Sequence, residues 1–211
     1  MKPRLLDLFC GAGGAGMGYH RAGFEVVGVD INPQPRYPFE FHQADALEFP
    51  LDGFDVIHAS PPCQAFTALS NRWRGAGGVA DAHEDLIAPT RDRLQGRRYV
   101  IENVHGAPLL CPIVLTGEMF GLRVYRPRLF ECVPFMLAPD KPPRQRDPVA
   151  VYGKPDGRLL WRRKDGTEQH ASDLETGSAA MGIDWMEWDE LKESIPPAYT
   201  EYIGRQLLNV L

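Results

Sequence analysis

Along the first hundred positions, apolar residues come in short runs, each closed by a polar or small residue. Strand-like runs fall at 4–9, 25–30, 39–43, 54–60 and 98–102, and the stretches 13–22 and 83–95 carry apolar residues at helical spacing. Strands alternating with helices predict βαβ units, hence an α/β domain whose parallel sheet is covered on both faces. Ligands of such sheets bind in the crevice beyond the carboxyl ends of the strands, so Asp30, Ser60 and Glu102, which close three of the runs, mark where function is sought. From about residue 134 the pattern changes. Prolines at 134, 139, 142, 143, 148 and 155, with glycine turns in 152–157 and 164–166, predict loops and short antiparallel pieces. The stretch 196–211 places Ile203, Leu207, Leu208 and Leu211 at helical spacing and is expected to pack back on the sheet. The expected organisation is an α/β domain over 1–133, a small appended region over 134–190 and a returning segment over 191–211.

Composition narrows the class. With 211 residues, 44% of them apolar, the chain has room for a buried core. No run of about 18 apolar residues appears, and Met1-Lys2-Pro3-Arg4 leads directly into a strand-like run, which predicts a soluble, cytoplasmic protein with no membrane partner. The cysteines at 10, 63, 111 and 132 form no C-x-x-C pair, so neither a zinc ribbon nor a disulfide framework is expected. The net charge of −5 argues against a nucleic-acid partner, but the charge is segregated. Residues 141–164 hold eight Lys/Arg against two acids, whereas 165–193 hold nine acids against Lys192 alone. The first stretch could grip phosphates; the simpler reading is a solvated, segregated surface.

Three motifs carry chemistry. The run from Asp7 to Gly14 is a glycine-rich turn between a strand and a helix, which lets a nucleotide-like ligand approach the backbone and free N–H groups; it lacks the Lys-Ser/Thr of a phosphate-binding P-loop. Asp30 stands where dinucleotide folds keep a ribose-binding carboxylate, and Asp45 follows the third strand; the alternatives are a loop acid and a helix cap. Ser60-Pro61-Pro62-Cys63-Gln64 presents Cys63 at the crevice rim behind two rigid prolines, whereas Cys10, Cys111 and Cys132 read as small core hydrophobes. Glu102-Asn103-Val104 ends an apolar strand with a carboxylate whose pKa desolvation can raise.

In order and approximate spacing, Asp7–Gly14, Ser60–Gln64, Glu102–Val104, Arg126-Pro127-Arg128 and Ile195-Pro196-Pro197-Ala198-Tyr199 resemble the motifs of cytosine-5 DNA methyltransferases. The resemblance spans 4–131 and resumes at 179–208; the compact layout is especially similar to short homologues encoded by bacteriophages, which would act in the cytoplasm of a bacterial host. It implies a Rossmann-like methyltransferase sheet binding S-adenosyl-L-methionine against Asp7, Phe9, Cys10, Gly11, Ala12, Gly13 and Gly14, then Asp30 and Ile31, Asp45 and Ala46, and Ser60 and Pro61. It further implies that Cys63 attacks carbon 6 of cytosine, Glu102 steadies the ring, and Arg126 or Arg128 holds the base, Arg128 nearest. Gln64, Asn103, Arg72 and Arg74 would touch DNA, from which the cytosine is flipped; 65–81 would be the loop that helps. The domain 1–133 is then catalytic and cofactor-binding.

The chain also departs from that family. Only about 65 residues separate Arg128 from Pro196, so 134–190 is a reduced target-recognition region and little or only short sequence preference is expected. Lys192-Glu193-Ser194 stands where Gly-Asn is common, and Val124 where glutamine is usual. Competing readings are the same chemistry on tRNA or a free deoxycytidine nucleotide, a catalytically silent cofactor-binding regulator, and a nicotinamide dehydrogenase, which would have no use for Pro-Pro-Cys-Gln.

Overall fold

The computed structural model describes residues 2–62, 85–143, 147–157, 159–162, 166, 168–170 and 172–211. Five strands, β1 (Arg4–Leu8), β2 (Glu25–Asp30), β3 (Glu40–Gln43), β4 (Val56–Ala59) and β5 (Tyr99–Asn103), run parallel in the order β3-β2-β1-β4-β5. Each lies within two residues of the stretch that the apolar pattern marked. Two strands the pattern did not single out, β6 (Ile113–Leu115) and β7 (Arg128–Val133), extend the sheet, β7 pairing antiparallel with β5 and β6 antiparallel with β7. The sheet is therefore mixed where a parallel one was expected.

Strand alternation sorts the core into two layers. Leu5, Val26, Val56 and Val100 face α1 (Gly14–Ala22) and α5 (Pro197–Leu208), packing with Tyr19, Phe24, Tyr199, Ile203 and Leu207. Leu6, Leu8, Val27, Val29, Ile57 and Ile101 point the other way and meet Leu94, which follows α2 (Ile87–Arg93). Burying such side chains contributes roughly 1.5–3 kcal/mol each, so the two layers dominate stability.

Helices α1 and α5 approach closely because α1 is smooth where they meet. A Cβ at Gly18 would lie 2.0 Å from Thr200 Oγ1 and 2.1 Å from the Pro197 carbonyl, and one at Gly14 would lie 1.9 Å from Ser194 Oγ. The Thr200 hydroxyl donates to the Ala15 carbonyl at 2.8 Å. The expectation that the chain's end returns to the sheet is thus met by helix-on-helix contact against α1.

Beyond β7, β8 (Leu159–Arg162) and β9 (Glu168–His170) form the expected antiparallel piece. Two helices there were not anticipated: α3 (Leu174–Met181) and α4 (Trp188–Leu191). Asp173 caps α3 by accepting from the Thr176 N–H at 2.7 Å, and Glu187 with Glu190 forms a capping box on α4. Part of the acidic stretch is therefore helix-start chemistry. Val151, Ala180, Met181, Ile183, Met186, Trp188 and Leu191 form a third apolar cluster shared with Ala12 and Val124. Among the described residues no helix is long and apolar enough to cross a membrane.

Candidate functional site

Period-two alternation decides which polar side chains meet. Asp7 lies two residues beyond Leu5, His58 two beyond Val56, and Glu102 two beyond Val100, so all three share the face covered by α1 and α5. Asp7 and His58 are directly paired in register. All three are buried.

At the carboxyl end of β1 the chain turns tightly, with positive φ at Phe9, Gly11 and Gly13. The Gly11 N–H donates to Asp30 Oδ2 at 3.0 Å, and the Asn32 N–H donates to Asp30 Oδ1 at 2.9 Å. Asp30 thus braces the glycine turn from the end of β2. A Cβ at Gly11 would meet nothing within 4 Å, and neighbouring Ile31 is 66% exposed, an apolar side chain beside open space at a strand end. That combination fits a nucleoside-bearing ligand. Gly13 and Gly14 face inward instead, against Tyr37 with Pro38, and against Ser194.

Asp7 lies beneath the turn, accepting a hydrogen bond from the Tyr37 hydroxyl at 3.1 Å. Burial pushes its carboxyl up to about 8. Its side chain is fully buried and supports the turn from beneath α1. Cys10 and Ala12 are likewise buried, and burial pushes the Cys10 thiol far above its ordinary value. Asp45 is exposed and accepts from the Leu47 N–H at 2.8 Å in a local turn where no helix begins, while the Ala46 methyl packs in the second core layer. Cys111, expected in the core, is exposed on a positive-φ turn, whereas Cys132 is buried as expected.

Glu102 and Arg128 form the centre of the second half of the site. Arg128 opens β7, the antiparallel neighbour of β5, and its Nε lies 3.1 Å from Glu102 Oε1. That contact lacks hydrogen-bond geometry, so Oε1 is buried with no hydrogen-bond partner among the described residues. Burial raises the Glu102 carboxyl above its usual range, opposed by Arg128, Ser60 and Arg126. Arg126, by contrast, uses its guanidinium on main-chain carbonyls: Ser194 at 2.6 Å, Lys192 at 2.6 Å and Val151 at 3.3 Å. It fastens the segment before α5, including the Lys192 to Ser194 stretch that stands in place of Gly-Asn.

Asn103 was expected at the substrate. Its amide nitrogen donates to the Pro61 carbonyl at 2.9 Å, and its side-chain oxygen accepts from the Val104 N–H at 2.9 Å, so it holds the proline pair against β5. Pro61 is buried and Pro62 exposed. Cys63, Gln64, Arg72 and Arg74, with the loop 65–81, lie outside the described residues.

Sequence reasoning missed three side chains here. The Tyr19 hydroxyl lies 3.0 Å from His58 Nδ1, and His58 Nε2 lies 2.9 Å from Ser60 Oγ. Burial drives His58 down to about 3, so it is neutral. The Trp185 indole N–H donates to the Ala12 carbonyl at 2.8 Å, tying 185 to the glycine turn. Even spacing from Val56 was the available signal for His58; nothing local announced Trp185.

No protein-family model matches the chain. Type II methyltransferase M.AgeI of Thalassovita gelatinovora is 25% identical over 185 residues, 74% of this chain and 41% of that protein. M.HgiDI of Herpetosiphon aurantiacus is 28% identical over 161 residues, 60% of this chain and 50% of that protein. M.HgiGI of the same organism is 30% identical over 88 residues, 35% of this chain and 70% of that protein. The chain spans about half the length of the first curated relatives it matches. Among solved structures, a chain described as a DNA modification methyltransferase encoded within an E. coli prophage superposes with a TM-score of 0.64 at 17% identity, with 99% of each chain covered. The S. pombe Dnmt2 methyltransferase gives 0.62 at 13% identity, again covering 99% of both chains. These likenesses show a shared α/β methyltransferase fold.

Proposed function

Since the chain belongs to the methyltransferase family of its type II relatives, we propose that it methylates carbon 5 of cytosine in DNA through a covalent Cys63 adduct. The observation that carries this reading is Glu102: a buried carboxyl at the end of β5, raised toward protonation, with one oxygen lacking a hydrogen-bond partner among the described residues and Arg128 beside it. A carboxyl so prepared can hold ring nitrogen 3 and the exocyclic amine of a base as charge develops.

S-adenosyl-L-methionine, when bound, supplies the methyl group as an electrophile. Asp30, the Gly11 turn and exposed Ile31 would hold it, a fit resting on the open space over Gly11 and the braced carboxylate. The Cys63 sulfur, as thiolate, bonds to carbon 6, and the displaced ring electrons make carbon 5 nucleophilic enough to take the methyl. A base then removes the carbon 5 proton, the electrons of that bond re-form the ring double bond, and the carbon 6–sulfur bond breaks to release thiolate. Arg128 faces Glu102 and balances its charge; Arg126 keeps the segment before α5 in place. The target cytosine is flipped from the duplex, and the reduced region 134–190 leaves little sequence preference.

The test is nucleoside mass spectrometry after incubation with S-adenosyl-L-methionine and duplex DNA, single-stranded DNA, tRNA or free dCMP, with Cys63→Ala as control. 5-Methyldeoxycytidine from DNA, absent in the variant, is expected. Modification of tRNA or dCMP alone would move the substrate, and no modified cytosine anywhere would overturn the reading.

A further inference from the structure

The residues proposed to hold S-adenosyl-L-methionine stand on two separate loops: the turn after β1 and the loop that begins at Ile31 after β2. The turn has few constraints of its own. The Gly13 N–H donates to the Cys10 carbonyl at 3.1 Å, and Gly11 and Gly13 both take positive φ, a region that glycine enters and leaves at no steric cost. Ala12 precedes the helix cap, so its carbonyl has no partner within α1 and accepts instead from the Trp185 indole N–H at 2.8 Å. On the other loop, Arg36 reaches the start of α4: its Nη1 donates to Glu190 Oε1 at 3.0 Å and its Nη2 to Glu187. A capping box ordinarily has Ser or Thr at the N-cap. Here both members are glutamates, and each serves Arg36 as well as the helix start. Residues 183–190 are themselves rooted. Ile183, Met186 and Trp188 are buried in the third apolar cluster, and the Trp188 indole N–H donates to the Gly153 carbonyl at 2.8 Å.

We propose that residues 183–190 are a clasp that binds both loops at once, with Trp185 and Arg36 as positioning residues that fix the distance between the glycine turn and the loop after β2. Trp185 sets one end, the Arg36 contacts set the other, and one rooted segment separates them. A cofactor that touches both loops then meets them already spaced, and the cost of ordering a glycine-rich turn falls on folding instead of on binding. Folding itself depends little on the Arg36 end. The Arg36 and Glu187 side chains are 35% and 67% exposed, and ion pairs so solvated add little to stability. The identity of the ligand rests on the function proposed above; the clasp rests on the contacts alone. It gives part of the appended region, expected to serve DNA, a role toward the methyl donor.

The experiment pairs calorimetric titration of the intact protein with S-adenosyl-L-methionine and amide hydrogen exchange of the free protein. Trp185→Phe keeps an aromatic ring and removes the N–H; Arg36→Gln removes the ion pairs. Each is expected to weaken cofactor binding about five- to tenfold, as one lost hydrogen bond implies, with little change in Tm for Arg36→Gln. Exchange should quicken at residues 10–17 in Trp185→Phe and at 31–37 in Arg36→Gln, and stay as in wild type along β4 and β5. Because releasing either end frees the spacing, the double variant is expected to lose less than the product of the two single losses. Arg205→Gln, which breaks a surface ion pair on α5, is the control and should move neither readout. Arg36→Gln carries the test if Trp185→Phe does not fold. An unmoved Kd or unmoved exchange in the single variants overturns the clasp, as does a double variant that loses the full product. A wild-type protein that binds no S-adenosyl-L-methionine overturns the cofactor reading, and quickened exchange in the variants then leaves the clasp standing.

Discussion

Asp7→Asn should remove a pH dependence that the wild-type fold carries at its centre. Asp7 is fully buried, accepts from Tyr37 through Oδ2, and has Oδ1 without a hydrogen-bond partner among the described residues. Burial lifts its folded-state pKa from an ordinary 3.8 to about 8. Below the unfolded value the carboxyl is protonated in both states, and the folded protein keeps its full stability. As pH rises from there the unfolded chain ionises first, so stability is lost progressively until the folded value is passed. At about 1.4 kcal/mol per unit, the span from pH 5 to pH 7.5 costs roughly 3 kcal/mol. Asparagine is neutral throughout, and its oxygen can still accept from Tyr37. Urea unfolding of both proteins across that range is expected to show their stability difference moving by about 3 kcal/mol in favour of the variant as pH rises. A difference that stays flat would refute a buried, protonated Asp7.

Gly18→Ala places a methyl within 2.1 Å of Pro197 and Thr200 atoms, so it is expected to cost at least about 1–3 kcal/mol by forcing α1 and α5 apart, read as a lowered Tm in calorimetry. Arg126→Ala strips a cation from three carbonyls and is expected to destabilise by about 2–4 kcal/mol in urea, whereas Arg128→Ala should leave the midpoint nearer wild type and lower the methyl-transfer rate instead. Equal rate losses with equal stability in the two variants would contradict the division of labour between these arginines.

The parallel half of the sheet was legible because each strand is a short apolar run with a polar stop, and Asp30, Ser60 and Glu102 do fall at the carboxyl ends of β2, β4 and β5. Strands β6 and β7 were not, since β6 is only three residues long and Arg128–Val133 sets Arg128 and Glu131 among its apolar residues. Glu131 reads as a surface acid, yet it is buried, held by Arg91 at 2.7 Å, the Tyr99 hydroxyl at 2.9 Å and the Leu110 N–H at 2.8 Å. Partners 21 to 40 positions away leave no local trace. The same holds in the site: sequence pointed to Glu102 and Arg128, and the structure brings them together. That Asp7 is buried against Tyr37 and that Asn103 bonds the Pro61 carbonyl could not be read from their motifs, because burial and hydrogen-bond use are tertiary facts. His58 went unnoticed for the same reason. Even spacing from Val56 put His58 on the inner face, but its hydrogen bonds to Tyr19 and Ser60 are tertiary.

The close seat of α5 on α1 also sets an order of events during synthesis. Helix α1 ends at Ala22, but the residues that cover it begin at Pro197, so at about 5–20 residues per second the ribosome delivers the second helix roughly 10 to 35 s after the first. For that interval one face of the sheet, with Tyr19 and Phe24 upon it, lacks its lid of Tyr199, Ile203 and Leu207. The nascent chain is thus a client for whatever shields apolar surface in its cell, and its core closes only when nearly all of this sequence has been translated.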